Sequence, residues 1–331
     1  MNVLLVDVER RYQYLYENFF PSTWKIDYNN IGRQTYDLVL MDCDVCKLDD
    51  EIAWSHWVRL SDGGVPKKEL KDEYLQPRTW GSSEKYSSLY KSIFDQLKLI
   101  SYGKLVIIDV GDRAFAMSGL NWLQKNACGV DLILKREYRR THIWDYMAKV
   151  KPFPFLTFDG KACNVLYGSP PKHNNITGKG CFFIGDPLLR VELGLPDEWV
   201  NRYDMLIAME RLNCIKWYKE RLQKEEYLSL FKKHRSFLHL NGTGHLCSRL
   251  FEGFGMGCLC VMQETDLVFP MGNPIHPSLI FKVPEQAKII IERIDSDDDY
   301  YNMCMEYQMN MITSCFNRDK VGEYILGCLN V

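Results

Sequence analysis

The residues best suited to chemistry lie in one segment, Phe237–Val261, which combines glycines with an arginine and a glutamate. Gly242 and Gly244 follow an apolar run and precede a helical pattern, so the segment predicts a strand, a glycine-rich turn and a helix. Glycines let backbone N–H groups approach an oxyanion, and the positive end of the new helix favours the same ligand. The pattern therefore predicts an anion-binding turn.

Two charged residues follow this turn. Arg249 lies in the first helical turn, where a guanidinium can hold a diphosphate through two hydrogen bonds. Glu252 comes three residues later on the same helical face, where its carboxylate can accept both hydroxyls of a ribose. Together they indicate a nucleoside diphosphate site. An ordinary strand–helix turn with a surface ion pair is the alternative, and the turn lacks the third glycine of a dinucleotide fingerprint.

The segment Arg249–Val261 resembles the donor site of GT-B glycosyltransferases of the group 1-like type. It is most similar to the exostosin-like and spore-coat-type branches, in which an Arg-x-x-Glu helix precedes a Gly-Cys-hydrophobic turn. The resemblance implies that Glu252 binds the ribose of a sugar nucleotide and that Arg249 contacts its phosphates. It also implies a phosphate loop lined by Asn241, Gly242, Gly244 and Ser248. His245, inside this loop, is a further candidate donor to a phosphate oxygen, and an ordinary loop histidine is the alternative.

A reaction follows from this resemblance. Arg249, the loop amides and the helix end would stabilise the departing diphosphate, so no metal cofactor is required. The expected donor is a UDP-sugar carrying a pentose such as xylose or a hexose, and the expected acceptor is a hydroxyl of an oligosaccharide or glycoprotein glycan. Retaining enzymes often carry a second glutamate where this chain has Gly244, which favours inversion.

Inversion needs a base, and acids at strand ends are the candidates. Asp109 and Asp112 follow a strongly apolar run, at the kind of strand end where α/β proteins bind ligands. Asp7 and Asp42 end runs of their own. Asp42 and Asp44 also form an Asp-x-Asp pair that could hold Mn²⁺ or Mg²⁺ in a metal-dependent transferase.

A different class of protein remains open: the chain could be a non-catalytic nucleotide- or glycan-binding module.

Alternating apolar runs and helical patterns predict an α/β fold with parallel sheets. The predicted strands are Asn2–Val6, Tyr36–Met41, Lys104–Asp109, Val130–Leu134, Gly180–Asp186, Cys214–Tyr218, Ser236–Leu240 and Cys258–Met262. The predicted helices are Tyr12–Phe20, Ser87–Leu99, Ala114–Lys125, Tyr203–Leu212, Lys224–His234, Ser248–Met256 and much of the last 35 residues.

A proline-rich stretch between the two halves predicts a domain boundary. We expect a GT-B architecture of two Rossmann-like domains facing each other across a cleft. Residues 1–177 would form the acceptor-binding domain and residues 178–331 the nucleotide-sugar-binding domain, with the last helix returning to the first.

Composition excludes other classes. The 331 residues carry a net charge of −2, so no overall field recruits nucleic acid or an anionic membrane. The basic stretch Lys135–Arg140 is interpreted as a solvated face. The twelve cysteines form no spaced framework, the start of the chain lacks the features of a signal peptide, and no apolar run is long enough to span a bilayer. These features predict a cytoplasmic protein with reduced thiols.

Overall fold

The computed structural model describes residues 1–6, 20–28, 31–42, 97–109, 129–136, 138, 140, 149–153, 178–185, 197–220, 222–241, 248–315 and 318–330. Two compact units contain them: residues 1–153 with 322–331, and residues 154–321. The predicted helices at 12–20, 87–99 and 114–125 lie wholly or mostly outside the described residues. Because residues 154–177 also lie outside them, the domain boundary at residue 178 stays a prediction.

The first unit contains a parallel sheet of six described strands in the order β2-β1-β3-β4-β5-β6. Its core is formed by continuous apolar runs in the central strands, such as Leu105–Ile108, which is completely buried. Such runs are typical of parallel strands that are covered on both faces. The strands are β1 (Asn2–Val6), β2 (Lys25–Tyr28), β3 (Thr35–Asp42), β4 (Ser101–Asp109), β5 (Leu132–Lys135) and β6 (Val150–Pro152).

The edge strands β2 and β6 were not predicted from the sequence. β2 has only four residues and none of them is fully buried, so it lacks an apolar run. β6 contains Pro152, and a proline is compatible with the outermost of the described strands because it cannot donate a hydrogen bond to a further strand.

The interpretation of Lys135–Arg140 as a solvated face is wrong for its first two residues. Lys135 is the last residue of β5 and is 3% exposed, and Arg136 is 5% exposed. The strand continues into the basic stretch because the Lys135 carbonyl accepts a hydrogen bond from the N–H of Phe153, 2.8 Å away. Arg140 is exposed, as expected for a solvated residue.

The last helix of the chain contributes to the first unit. It spans Arg318–Cys328, and from Gly322 onward its residues belong to that unit. Gly322 packs so closely on Pro21 that a β-carbon would not fit there. The hydroxyl of Tyr324 donates to the carbonyl of Pro152 over 2.8 Å, and burial raises the pKa of this phenol.

The second unit contains a parallel sheet of five described strands in the order β11-β10-β9-β7-β8. These strands are β7 (Cys181–Ile184), β8 (Ile215–Tyr218), β9 (Ser236–His239), β10 (Leu259–Gln263) and β11 (Ile280–Phe281). The described helices are α1 (Asp197–Arg211), α2 (Lys224–Lys233), α3 (Ser248–Gly255), α4 (Pro284–Ser296) and α5 (Asp298–Cys315), with the last helix, Arg318–Cys328, as α6.

Both units therefore follow one strand order, in which the first strand lies between the second and the third. This doubly wound arrangement confirms the predicted α/β class with two Rossmann-like units. All eight predicted strands correspond to described strands, with ends that differ by up to three residues.

The seven described cysteines carry free thiols, and burial raises the pKa of the Cys181 and Cys258 thiols.

A glutamine side chain completes the open edge of β10. β11 pairs with β10 only at Met262 and Gln263, so the start of β10 needs another partner. Gln308 of α5 is fully buried; its Nε2 donates to the Cys258 carbonyl over 3.0 Å and its Oε1 accepts from the Cys260 N–H over 3.4 Å. A side-chain amide thus makes the two hydrogen bonds that a further strand would make.

We predict that Gln308→Leu lowers the free energy of unfolding of the second unit by about 2–4 kcal/mol, because two buried backbone groups lose their partners. Urea unfolding followed by circular dichroism measures this change. Gln286→Leu is the matched control, since Gln286 caps an exposed helix start. Equal losses in the two variants would contradict the role assigned to Gln308.

Candidate functional site

Close packing fixes α3 against β9. The ring of Phe237 on β9 occupies the space that a side chain at Gly253 of α3 would need, so this position requires glycine. Gly257 ends the helix with a φ of 73°, a conformation that favours glycine. The N–H groups of Gly257 and Cys258 then donate back to the carbonyls of Phe254 and Gly253, each over 3.0 Å. This is the hydrogen-bond pattern of a Schellman motif, and it explains the Gly-Cys turn of the sequence.

Strand order marks the edge at which a ligand is expected. The chain passes from β7 to β8 on one side and later returns to β9 on the other side of β7. In doubly wound sheets, ligands bind beyond the carboxyl ends of the two strands between which the order reverses. Gly185 follows β7 at this edge, and Asn241 lies two residues beyond β9. The two residues therefore flank the expected crevice.

Arg249 extends to the same edge. Its guanidinium carbon lies 4.8 Å from the ring centroid of Phe183 on β7. A β-carbon at Gly185 would lie 3.6 Å from Arg249 Nη2, so the guanidinium also lies beside that glycine. The Nε of Arg249 is buried and has no hydrogen-bond partner in the described part of the chain. Arg249 thus holds an unused donor at the place where strand order predicts a ligand.

Gly185 is held in a conformation that suits this approach. Its φ of 122° lies in the region that residues with a side chain rarely adopt. The indole Nε1 of Trp217 donates to its carbonyl over 2.7 Å, and its own N–H donates to Tyr218 over 2.9 Å. Strand β8 therefore fixes the turn that lies beside the guanidinium of Arg249.

Asn241 and the end of β9 are held by three neighbours. The backbone N–H of Asn241 donates to Gln263 Oε1 over 3.0 Å, and its Nδ2 donates to the carbonyl of Glu264 over 2.7 Å. Arg202 of α1 donates to the carbonyls of Leu240 (2.8 Å) and Asn241 (2.9 Å). The Oδ1 of Asn241 is buried and accepts no hydrogen bond from the described residues. The free polar atom of this side chain is thus an acceptor.

Glu252 has a hydrogen-bond partner on another helix. The hydroxyl of Tyr227 on α2 donates to Glu252 Oε2 over 2.5 Å. Within the described residues, no ion pair joins Arg249 to Glu252, although they are three residues apart on α3. The alternative of a plain surface ion pair is therefore wrong: Arg249 contacts an aromatic ring and Glu252 contacts a phenol.

The structure describes only part of the predicted site. It describes the side chains of Asn241, Arg249 and Glu252, and the backbone of Ser248 as the first residue of α3. Asp42 and Asp109 are described by their backbone as the last residues of β3 and β4. The other predicted site residues lie outside the described residues: Gly242, Gly244, His245, Asp44, Asp112 and Asp7.

Four residues of the site were missed in the sequence: Phe183, Gly185, Arg202 and Tyr227. Gly185 carried a usable signal, because a glycine directly after a buried strand is typical of a tight turn at a ligand edge. Arg202 and Tyr227 carried no local sequence signal, because the residues that they contact lie 25 to 39 positions away in the chain.

The described residues contain no group of three or more His, Cys, Asp or Glu side chains that could hold a metal ion. None of the described helices combines the length and apolarity that crossing a membrane requires.

No protein-family model matches the chain, and no curated protein matches it. It is similar to the solved structure of a UDP-forming α,α-trehalose-phosphate synthase from Burkholderia xenovorans, at 10% identity and a TM-score of 0.49, with 99% of this chain and 98% of that chain covered. The corresponding synthase from Burkholderia vietnamiensis gives 9% identity and a TM-score of 0.48, with 99% of each chain covered. An alpha-glucosyltransferase in complex with UDP-glucose and DNA containing an abasic site gives 10% identity and a TM-score of 0.46, with 100% of this chain and 99% of that chain covered. All three TM-scores are below 0.5, so these similarities carry no argument about function.

We predict that Arg202→Ala lowers the free energy of unfolding by about 1–3 kcal/mol, because two carbonyls at the end of β9 lose a charged donor. Urea unfolding measures the loss, and hydrogen exchange at the amide of Asn241 reports on local loosening. Arg211→Ala, at the exposed end of the same helix, is the matched control and is expected to change stability by less than about 0.5 kcal/mol. Unchanged protection at Asn241 in Arg202→Ala would contradict the role of Arg202.

Proposed function

We propose that this chain is a glycosyltransferase that uses a nucleoside diphosphate sugar and binds this donor at the carboxyl ends of β7 and β9. The observation that carries the proposal is the guanidinium of Arg249, which lies over Phe183 at the strand-order reversal with a buried, unused Nε. Glu252 lies one helical turn away. The segment Arg249–Val261 supports placing the chain near the exostosin-like branch of GT-B enzymes.

Arg249 is assigned to the diphosphate of the donor. Among the described residues no carboxylate neutralises its guanidinium, so the full charge is available to an anionic ligand. The N-terminal end of α3 adds the positive end of a helix dipole at the same place. Gly242, Gly244, His245 and Ser248 remain the proposed lining of the phosphate loop, with backbone N–H groups as donors.

Asn241 takes a different role from the one its sequence position suggested. Its Nδ2 is engaged by Glu264, and the atom left over is the acceptor Oδ1. A phosphate oxygen is also an acceptor and would not pair with it. We therefore assign Asn241 Oδ1 to an O–H or N–H of the ligand, such as a hydroxyl of the transferred sugar, and leave the phosphates to Arg249 and the loop.

The proposed reaction is a single displacement. A glycan hydroxyl attacks the anomeric carbon of the donor while a base removes its proton, and the bond from that carbon to the diphosphate oxygen breaks. Arg249 and the helix end stabilise the negative charge that develops on the leaving diphosphate. We propose UDP as the nucleotide, a pentose such as xylose or a hexose as the sugar, and inversion as the outcome.

The base is proposed among acids of the first unit. Asp109 ends β4, and Asp112 follows it in the sequence. In this unit the strand order reverses between β1 and β3, and the last residue of β3 is Asp42. Asp42 therefore joins Asp109 and Asp112 as a candidate, and the metal-dependent alternative through Asp42 and Asp44 is tested with them.

We predict that Arg249→Ala and Glu252→Gln each reduce sugar transfer at least about 100-fold, because each removes a group that holds the donor or its leaving group. Release of UDP from UDP-sugars in the presence of glycan acceptors measures the rate. Arg293→Ala is the matched control for the arginine, since Arg293 also stacks on a ring, 4.0 Å from the centroid of Tyr300. Glu306→Gln, exposed on α5, is the control for the glutamate.

The same measurements separate the proposed classes. Transfer at the wild-type rate in both site variants would show that this is not the donor site. Tight binding of UDP-sugars by the wild-type chain without turnover on any acceptor would favour the non-catalytic module instead.

We predict that only one of Asp42→Asn, Asp109→Asn and Asp112→Asn loses transfer by about 100-fold or more while keeping its affinity for UDP, because the base acts on the acceptor and not on the nucleotide. Initial rates and calorimetric binding of UDP are measured on each variant, with and without excess chelator. Unchanged activity in chelator would remove the Asp42/Asp44 metal alternative. Loss of activity in chelator would support it.

A further inference from the structure

We propose that Tyr227 is the positioning residue for Glu252, and that it makes the site select a ribonucleotide over its 2′-deoxy counterpart. This inference rests on the proposed function, because it takes Glu252 as the group that binds the ribose. Tyr227 itself lies on a neighbouring helix and acts through the carboxylate.

The contact is made between two anchored side chains. Tyr227 donates to Glu252 Oε2, and its ring packs edge-on against Phe231, with centroids 5.3 Å apart. Phe231 is completely buried and packs in the same manner on Phe237, again at 5.3 Å. Phe237 fills the space beside Gly253, the residue next to Glu252. One aromatic cluster, Phe231 and Phe237, therefore supports both the donor of this hydrogen bond and the helix that carries its acceptor.

This bond orients the carboxylate before a ligand arrives. A glutamate side chain has three rotatable bonds, and ordering it on binding would cost conformational entropy. The phenol removes part of that cost by holding Oε2 before a ligand arrives. A carboxylate has about four acceptor positions, and the hydrogen bond from Tyr227 uses one of them, on Oε2. Two vicinal hydroxyls of a ribose are the matching donors.

Selectivity follows from the fixed orientation. If the Glu252 carboxylate cannot rotate, a ligand without the 2′-hydroxyl leaves one acceptor position of this carboxylate desolvated and without a donor. That unmatched position weakens the binding of the ligand. If the carboxylate is free to rotate, it can turn that oxygen toward water and the penalty falls. Removing the Tyr227 hydroxyl is therefore expected to weaken the discrimination between ribose and 2′-deoxyribose. A purely structural loss would weaken the binding of both nucleotides equally.

The test compares the affinities of UDP and 2′-deoxy-UDP for the wild-type chain, Tyr227→Phe, Glu252→Gln and Tyr300→Phe by calorimetry. Tyr300→Phe is the matched control, because Tyr300 also donates a phenol hydrogen bond, to Ser278 in the same unit. We expect the wild-type chain and Tyr300→Phe to prefer UDP by about tenfold or more. Tyr227→Phe is expected to bind UDP about tenfold more weakly and to lose most of this preference, as Glu252→Gln does. Melting temperatures of Tyr227→Phe and Tyr300→Phe check that both variants are folded.

The outcomes separate this inference from the proposed function. If Glu252→Gln loses the preference while folded Tyr227→Phe keeps it, the positioning role is overturned and the ribose site stands. Equal weakening of both nucleotides in Tyr227→Phe would likewise overturn it. If the wild-type chain binds neither UDP nor GDP nor ADP, the proposed function fails, and the inference fails with it.

Discussion

Within the described part of the chain, the guanidinium of Arg249 contacts an aromatic ring and no carboxylate, and the proposed site depends on this contact. A cation over a ring gains roughly 0.5–2 kcal/mol, while the charge itself stays unneutralised. A carboxylate in the place of Phe183 would also fix the arginine, but it would use the donors that a diphosphate needs. The contact exists because β7 and β9 are adjacent, so that the helix after β9 begins over the side chains of β7.

Other contacts in the second unit make the arrangement of α3 on β7 and β9 rigid. Gly253 and Phe237 allow α3 to lie directly on β9, and the Schellman motif at Gly257 sets the angle at which the chain enters β10. The buried amide of Gln308 hydrogen-bonds the backbone at the edge of β10, and Arg202 donates to a backbone carbonyl at the end of β9. A site that must discriminate by the positions of single hydrogen bonds requires such rigidity, because small shifts of a donor or acceptor weaken it.

The sequence predicted the local part of this site and missed the part that depends on distant residues. The strands β9 and β10 and the helix α3 followed from hydrophobic periodicity, and the position of Arg249 and Glu252 on one helix followed from spacing. The glycine-rich turn at 242–247 lies outside the described residues and stays a prediction. Which group each of them contacts could not be predicted, because Phe183 and Tyr227 lie 66 and 25 positions away. The spacing of two opposite charges instead suggested an ion pair between them. The edge strands β2 and β6 were missed for a related reason, since their stability comes from neighbouring strands and not from their own composition.

The two sheets share one strand order but end in different chemistry. In the first unit the strands β3 and β4 both end in aspartates, Asp42 and Asp109. In the second unit the corresponding edge has a glycine after β7, with the guanidinium of Arg249 beside that glycine, and an asparagine beyond β9. A diphosphate would be repelled by the acidic edge and attracted to the other, whereas a proton acceptor for a sugar hydroxyl must come from an acid or a histidine. Under the proposed function, the edge of the second unit would therefore bind the donor and the edge of the first unit would supply the base, and the residues at the strand ends make this difference.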